Sequence, residues 1–452
     1  MSSLLIKNAS AAVTCDGRDS VLENVSILIR DGVIAYMGPE APEAEETLDA
    51  GRCAVYPGLV NTHHHLYQTF SRNLPQVQNL ELFDWLRALY EIWKNLDGEA
   101  VYYSSLVGMG ELLKTGCTTV FDHHYVFPGG TSAALLDAQF AAAGDLGVRM
   151  AASRGSMDLS KKDGGLPPDS VVQTVDEILR DSQAAAEKYH DPSFNSMRTV
   201  ALAPCSPFSA GETLYRQSAA LARSLGLRLH THLCETKDEE HYVLEKYGRR
   251  PLAYMEDMGW VGPDVWYAHG IHFNDQELKR LADTGTGVAH CPISNMKLSS
   301  GVCRVPGMLA LGVPVGLAVD GSASNDGSNL LEELRAAYLL HRLTSSEKAP
   351  SGYDWLKIAT RGGARLLGRE DIGSLEVGRA GDLFLVRRDR LELTGADLDV
   401  KSMLCTVGLK GPVDYTVVKG RVVVQEGRLT GVDEEKAVRE ARTAVSAYLS
   451  RQ

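Results

Sequence analysis

Two short histidine-rich segments of the chain carry residue types that bind divalent metal ions. His63 and His65 end the segment PGLVNTHHH, and His232 lies in LHTHLCE. In an extended strand, side chains two residues apart point to the same face, so His63 and His65 share a face from which His64 is turned away. Imidazole nitrogens bind zinc, iron or manganese. The spacing makes these three histidines candidate ligands, although two histidines in this pattern are also typical of a buried structural pair.

Other polar residues supply the groups that a hydrolytic site needs. Glu235 lies three residues after His232, close enough for its carboxylate to act as acid or base on a bound water. His230 faces the same way but lies deeper in the strand, where we expect a hydrogen-bonded structural role. His269 lies in YAHG, and Asp320 follows an apolar run in VDGSASND. An aspartate at the end of a strand is also common as a helix cap, so its position alone leaves both roles open.

These residues follow apolar, β-branched runs that alternate with helical patterns. The predicted strands cover residues 54–61, 117–122, 148–153, 199–203, 227–232, 265–269, 287–290 and 313–320, and helical patterns at 80–96, 170–189 and 211–225 separate several of them. Eight strands with interleaved helices predict a (β/α)8 barrel. Since the active site of such a barrel lies at the C-terminal ends of its strands, the candidate residues should converge there.

Both ends of the chain have a β-rich pattern. Residues 26–30 and 33–37 flank Asp31 and Gly32, a pair typical of tight hairpin turns because both positions tolerate positive φ. Short β-rich runs recur at 381–386 and 415–424, and residues 433–450 predict a terminal helix. The chain of 452 residues is also longer than the ~250–300 residues at which single cores stop growing, so two domains or one decorated barrel are expected.

Composition excludes several classes of function. The net charge is −12 and no cluster of lysines and arginines appears, which argues against nucleic acid as a partner. The uncharged run 305–319 contains proline and glycine and is too short for a membrane helix, and no export signal is visible. The 8 cysteines are scattered without a CxxC pair, as in reduced, cytosolic proteins. We therefore expect a cytoplasmic protein with no membrane partner.

The motifs PGLVNTHHH, LHTHLCE, YAHG and VDGSASND, in this order, resemble the amidohydrolase superfamily in its cytosine-deaminase-like mononuclear branch. The resemblance extends into the β-rich ends, which in that family meet as a small β-sandwich. It implies a sandwich built from residues 1–55 and 371–452, the latter including the terminal helix, around a catalytic barrel of residues 56–370. Binuclear members have a bridging lysine, usually at the end of strand 4, where this chain has VALAPCS. We therefore expect one divalent metal ion per chain, with zinc favoured over iron or manganese.

The same resemblance implies the role of each site residue. His63, His65, His232 and Asp320 would bind the metal, and Glu235, His269 and Asp320 would be catalytic. Glu235 would take a proton from water and pass it to a ring nitrogen, His269 would stabilise the developing oxyanion, and Asp320 would move a proton to the leaving amine. The expected reaction is hydrolytic deamination of an amino-substituted heterocycle, with ammonia as a product.

Four further residues are candidates for binding the substrate: Gln68, Trp93, Arg154 and Asn295. The segments around them look like the 8-oxoguanine deaminases of this branch, although Ile293 stands where a small hydroxyl residue is expected. Gln68 and Arg154 offer donors to a base edge, but structural hydrogen bonding is an alternative for both. Trp93, with Trp85 and Tyr90, either packs within its helix or forms an aromatic lid. His123 and His124 are expected to support the barrel.

The favoured substrate is 8-oxoguanine, which would give urate. Alternatives are deamination of isoxanthopterin, guanine or isocytosine, hydrolysis of an aminotriazine, and deamination of an adenosine-type nucleoside. A non-catalytic barrel that serves as an oligomeric scaffold is a remote alternative, because a scaffold has no need of this complete set of metal-binding and acid–base residues. The expected binding partner is a small heterocyclic substrate. We also expect the chain to form homo-oligomers.

Overall fold

The structure, a computed structural model, describes residues 2–451. Its strands are β1 (Ser3–Val13), β2 (Val21–Arg30), β3 (Val33–Gly38), β4 (Glu46–Asp49), β5 (Cys53–Pro57), β6 (Leu59–Asn61), β7 (Cys117–Asp122), β8 (Arg149–Ser156), β9 (Arg198–Pro204), β10 (Arg228–Leu233), β11 (Val265–His269), β12 (Gly287–His290), β13 (Val315–Leu317), β14 (Leu383–Arg387), β15 (Tyr415–Val418), β16 (Arg421–Gln425) and β17 (Arg428–Leu429).

The helices lie mostly between these strands. They are α1 (Leu82–Trp93), α2 (Gly98–Lys114), α3 (Ser132–Leu146), α4 (Val175–Tyr189), α5 (Glu212–Ser224), α6 (Lys237–Tyr247), α7 (Pro251–Asp257), α8 (Asp275–Thr284), α9 (Pro292–Lys297), α10 (Val305–Leu311), α11 (Ser322–Asn325), α12 (Leu330–Ser345), α13 (Gly352–Lys357), α14 (Gly363–Leu366), α15 (Met403–Thr406) and α16 (Glu434–Leu449). Within residues 2–451, none of them is both long and apolar enough to cross a membrane.

Strands β6 to β13 form one parallel eight-stranded sheet in chain order. The amide of Thr62 donates a hydrogen bond of 3.3 Å to the carbonyl oxygen of Leu317, which joins the chain at the end of β6 to β13. Every pairing between neighbouring strands is parallel, as expected where helices connect them. The predicted (β/α)8 barrel is therefore confirmed.

The first predicted barrel strand, 54–61, divides into two strands of different sheets. β5 pairs with β14 and β1, whereas β6 pairs with β7. Gly58 lies at the junction, and a Cβ atom added there would lie 2.0 Å from Oγ1 of Thr118. Glycine lets the backbone approach β7 so closely, and the continuous apolar pattern hid the junction because both strands are buried.

The remaining strands, from both chain ends, form one mixed sheet. Its order is β17-β16-β15-β14-β5-β1-β2-β3, with β4 paired to β1. The predicted hairpin is present, since Arg30 pairs with Val33 and the turn residues Asp31 and Gly32 have φ values of 49° and 79°. Buried residues such as Ile6, Ile27 and Leu385 give this sheet a core of its own. The expectation that both ends build one β unit is confirmed.

A buried ion pair links the barrel to the mixed sheet. Nε of Arg149, at the start of β8, lies 2.6 Å from Oδ2 of Asp382, and both side chains are almost completely buried. The Arg149 guanidinium also donates to the carbonyl oxygens of Asn195 and Ser196. The backbone amide of Lys419 donates to Asp382, so one carboxylate holds residues of the barrel and of the sheet together.

We predict that Asp382→Asn lowers the stability of the protein by about 3–5 kcal/mol, because it leaves the Arg149 charge buried without its partner. The measurement is thermal or urea unfolding. Asp389→Asn is the matched control: Asp389 pairs with Arg52 at 3.1 Å, but these side chains are 39% and 70% exposed. That pair should contribute under about 1 kcal/mol. Equal losses in the two variants would contradict the predicted role of the buried pair.

Candidate active site

Three histidines and one aspartate converge at the C-terminal ends of the barrel strands. His63 and His65 follow β6, His232 lies in β10, and Asp320 follows β13. Nε2 of His65 lies 3.1 Å from Nε2 of His232. Oδ1 of Asp320 lies 3.2 Å from Nε2 of His63 and 3.3 Å from Nε2 of His65. All four side chains are buried, so this donor set lies inside the barrel mouth.

The hydrogen bonds of the outer ring nitrogens fix the protonation of each imidazole. Nδ1 of His65 lies 2.7 Å from the carbonyl oxygen of His123, and Nδ1 of His232 lies 2.7 Å from that of Cys205. A carbonyl oxygen only accepts, so both Nδ1 atoms carry a proton, and in the neutral form of each ring the lone pair is on Nε2. Two lone pairs that face each other across 3.1 Å repel unless a cation lies between them.

The tautomer of His63, the third histidine, is set by its hydrogen bond to His230. Nδ1 of His230 donates to the carbonyl oxygen of Trp266 at 2.9 Å, so Nε2 of His230 accepts from Nδ1 of His63 at 2.8 Å. Nε2 of His63 is therefore unprotonated, and it is buried without a hydrogen-bond partner. His230 thus has the hydrogen-bonded structural position expected of it. His64 points elsewhere and contacts Oγ of Ser328 at 2.9 Å.

The charges of these groups suit a divalent cation. Burial lowers the pKa of His63 well below its usual value and that of His232 to about 3, so both rings are neutral, the form that binds metal. Ligand atoms of His63 and His232 lie within 4.8 Å of those of His65 and His123 in one group and of those of His269 and Asp320 in another. Three imidazole lone pairs and the Asp320 carboxylate are donors that suit a divalent metal ion.

Glu235 and His269 lie beside this donor set. Nε2 of His269 lies 3.5 Å from Oε2 of Glu235 and 4.0 Å from Oδ2 of Asp320. Burial raises the pKa of Glu235. Although burial by itself lowers the pKa of His269, the two carboxylates raise it above its usual value. A carboxyl group with raised pKa next to an imidazole between two carboxylates is suited to proton transfer near neutral pH.

The backbone around these residues adopts an uncommon conformation. Cys234, His269 and Asp320 have φ values of 56°, 71° and 62°, in the left-handed region that non-glycine residues rarely adopt. Each lies just after or at the end of a barrel strand. Such conformations destabilise a fold and concentrate at functional sites, where surrounding contacts enforce them.

Three buried carboxylates outside the donor set accept hydrogen bonds from backbone amides of the site loops. Glu239, on α6, accepts from the amides of Cys234 and Glu235 at 2.7 and 3.0 Å. Asp122 accepts from the amide that follows His65 at 2.6 Å, and Glu333 accepts from that of Ile293 at 3.2 Å. Sequence reasoning did not identify these three positions, because isolated carboxylates carry no signal of burial.

We predict that Glu239→Gln lowers kcat at least about tenfold without changing the metal content. The amide NH2 group would face a backbone N–H of Cys234 or Glu235, which costs ~1–3 kcal/mol and displaces the Glu235 side chain. Steady-state kinetics and elemental analysis provide the measurement. Glu245→Gln on the exposed side of the same helix is the control and should retain activity. Full activity in Glu239→Gln would show that its two hydrogen bonds do not position Glu235.

A small cavity opens beside the donor set. It is lined by His65, Gln68, Leu82, Trp85, Leu86, Tyr125, Cys205, Phe208, His232, Glu235, His269, Leu298, Asp320 and Ser324. Gln68 packs against Gly321, where an added Cβ would lie 1.9 Å from Oε1 of Gln68. Oε1 of Gln68 is buried without a hydrogen-bond partner. Of the four residues predicted to bind substrate, Gln68 is the one that lines the cavity.

The other three lie behind the cavity wall. The Arg154 guanidinium is buried, donates to Gln173, and lies 4.1 Å above the ring of Phe127. Nε1 of Trp93 donates to Oγ of Ser71 at 3.0 Å. Oδ1 of Asn295 accepts from Nδ1 of His269 at 2.8 Å, so this amide holds the imidazole in place. Its strand-end position suggested that Arg154 faces the pocket, and the resemblance suggested substrate contacts for Trp93 and Asn295. All three instead form hydrogen bonds with protein groups.

Trp85, Tyr125 and Cys205 are among the cavity residues that the sequence left unassigned or indicated only as packing residues. Trp85 contributes to the wall from α1, and Tyr125 lies with its ring centroid 5.0 Å from that of His65. Cys205 follows β9. His123 stacks on His232 at 4.8 Å and donates from Nε2 to the carbonyl oxygen of Ala203, in the supporting position expected for it. Both Trp85 and Trp93 are buried residues of the amphipathic helix α1. The sequence therefore could not show which of the two lines the cavity.

Comparisons with known proteins agree with this geometry. A model of the amidohydrolase family matches residues 54–423. The 8-oxoguanine deaminase of Pseudomonas aeruginosa is 43% identical over 100% of both chains, and the hydroxydechloroatrazine ethylaminohydrolase of Pseudomonas sp. (strain ADP) is 43% identical over 98% of this chain and 95% of its own. The crystal structure of a zinc-complexed atrazine chlorohydrolase from Arthrobacter aurescens superposes with a TM-score of 0.94, at 33% identity over 98% of this chain and 100% of that one. The chain belongs to the amidohydrolase family.

Proposed function

We propose that the protein is a metal-dependent aminohydrolase that converts 8-oxoguanine to urate and ammonia. The observation that carries the proposal is the convergence of three imidazole lone pairs and Asp320 next to Glu235 and His269, at the edge of a cavity. The full-length similarity to an 8-oxoguanine deaminase supports the choice of substrate.

His63, His65, His232 and Asp320 would hold one divalent metal ion, which we propose to be zinc. When bound, such a metal lowers the pKa of a coordinated water from 15.7 to about 7 in favourable sites. The chain has no lysine after β9, where VALAPCS leads into the loop, and this supports a single ion. The zinc-complexed structural relative supports the identity of the metal.

Glu235, His269 and Asp320 would carry the protons. Glu235 takes a proton from the attacking water and delivers it to a ring nitrogen of the substrate, a role that its raised pKa favours. Nε2 of His269 donates to the oxygen that develops negative charge, while Asn295 holds the opposite ring nitrogen. Oδ2 of Asp320, which accepts from Oγ of Ser294 at 2.5 Å and of Ser324 at 3.2 Å, moves a proton to the leaving amine.

Gln68 would bind the substrate directly. Its side-chain amide has a buried oxygen without a partner beside Gly321, so an N–H group of a planar heterocycle can pair with it. Leu82, Leu86, Phe208 and Leu298 enclose the rest of the ring in apolar surface. This small cavity favours a free base over a nucleoside, whose ribose would need space and hydrogen-bond partners in the wall of α1.

The test is ammonia release by purified metal-loaded protein from a panel of 8-oxoguanine, guanine, isocytosine, isoxanthopterin, aminotriazines and adenosine. We expect the highest kcat/KM for 8-oxoguanine, with formation of urate identified by mass spectrometry. A higher kcat/KM for another heterocycle would replace the substrate assignment and keep the aminohydrolase. Absence of ammonia from every compound would contradict the proposed function itself.

A further inference from the structure

The indole N–H of Trp85 is buried in the cavity wall without a hydrogen-bond partner. Three of the other tryptophans donate to protein oxygens: Trp93 to Ser71, Trp260 to Tyr215 and Trp266 to Thr62. Nε1 of Trp355 is also unpaired, but that residue packs against His290 and His341 and does not line the cavity. Trp85 therefore combines an unsatisfied donor with a position at the candidate binding site.

A buried donor without an acceptor destabilises the empty site, and a ligand that supplies an acceptor removes this penalty on binding. The other lining groups of α1, Leu82 and Leu86, are apolar and offer no acceptor. A substrate that places a carbonyl oxygen against Trp85 is thus favoured over one that places a C–H group there. Recognition of this kind discriminates strongly, because the wrong ligand leaves the buried donor unpaired.

Within the described residues, the ring of Trp85 contacts that of Trp93 and none of the metal-binding histidines. Its ring centroid is 5.5 Å from that of Trp93, which in turn is 6.5 Å from that of Tyr125. Tyr125 is the residue next to the donor set, since its ring lies 5.0 Å from that of His65. Trp85 and the donor set line the same cavity without touching, so a substrate whose reacting carbon lies at the donor set and whose far end reaches α1 would present that end to Trp85.

We propose that Nε1–H of Trp85 donates a hydrogen bond to the exocyclic oxygen on C8 of 8-oxoguanine and so separates this base from guanine. The inference rests on the proposed function. The reacting carbon, C2, and C8 lie at opposite ends of a purine. At C8, 8-oxoguanine carries a carbonyl oxygen, whereas guanine carries only hydrogen.

The first test compares kcat/KM for 8-oxoguanine and guanine in the wild type and in Trp85→Phe. Phenylalanine keeps an aromatic wall and removes the donor. We expect the ratio of the value for 8-oxoguanine to the value for guanine to fall at least about tenfold. Trp93→Phe, on the same helix, is the matched control: its indole donates to Ser71 outside the cavity, so the ratio of the two values should not change.

The second test does not depend on turnover. Urate and xanthine differ in the same C8 oxygen, and calorimetry on the metal-loaded protein measures their dissociation constants. We expect tighter binding of urate in the wild type and loss of that difference in Trp85→Phe. Equal binding of the two by the wild type, or an undiminished preference for urate in the variant, would overturn the proposal. If the wild type prefers urate but releases no ammonia from 8-oxoguanine, the proposed function fails and the role of Trp85 is still decided by the variant.

Discussion

Glu235→Gln should reduce kcat at least about 100-fold and leave the metal content and the affinity for urate unchanged. Loss of a general acid–base group typically costs ~10²–10⁴-fold. Glutamine keeps the shape of the side chain next to His269 but cannot take and release a proton. The measurements are steady-state kinetics, elemental analysis and calorimetric binding of urate.

Glu245→Gln controls for the loss of one carboxylate, because Glu245 is exposed on α6 and its substitution should leave kcat unchanged. A Glu235→Gln protein that retained more than about a tenth of the wild-type kcat would contradict the assigned role. Loss of metal from the variant would instead point to a role in binding the ion.

Removal of the metal by a chelator should abolish deamination and lower the melting temperature. Without a cation, the Nε2 lone pairs of His65 and His232 face each other at 3.1 Å, and the carboxylate of Asp320 loses its partner. A ligand present at 1,000 times its dissociation constant stabilises the folded state by about 4.1 kcal/mol, which sets the scale of the expected shift. One equivalent of zinc per chain should restore both activity and melting temperature.

His63→Ala should bind less metal, since it removes one of the three imidazole donors. The control is His241→Ala, because His241 is exposed on α6 and lies outside the donor set. Full activity of the chelated protein would refute the metal-dependent mechanism. Restoration that requires two equivalents would refute the single ion.

The barrel could be predicted from the order of its strands and helices. The periodicity of the strands also predicts that the candidate metal ligands lie at one end of the barrel. His63 and His65 share a face by the period of two, and parallel strands bring their C-terminal ends to one side of the barrel. The position of Asp320 at the donor set follows from the same rule. The closure of the barrel then brings residues 63 and 320 together, although 256 positions separate them in the sequence.

Contacts that depend on the conformation of loops could not be predicted from the sequence. Arg154 lies near the end of a barrel strand, yet its guanidinium contacts Phe127 and Gln173 outside the cavity. Glu239 looks like any surface residue of an acidic helix, and only the left-handed turn at Cys234 brings two amides to its carboxylate. Such positions are set by tertiary packing, which local patterns do not encode.

Because the cysteines are buried, the reactivity of their thiols can be used to measure how often the cavity opens to solvent. All eight thiols are free and buried, and burial raises the pKa of the Cys205 thiol to about 12. Cys205 lies in the cavity wall, together with apolar side chains of α1. The rate at which a thiol reagent modifies Cys205 therefore measures how often the cavity opens to solvent. A bound base would protect that thiol, so its reactivity would follow occupancy of the cavity as well as its motion.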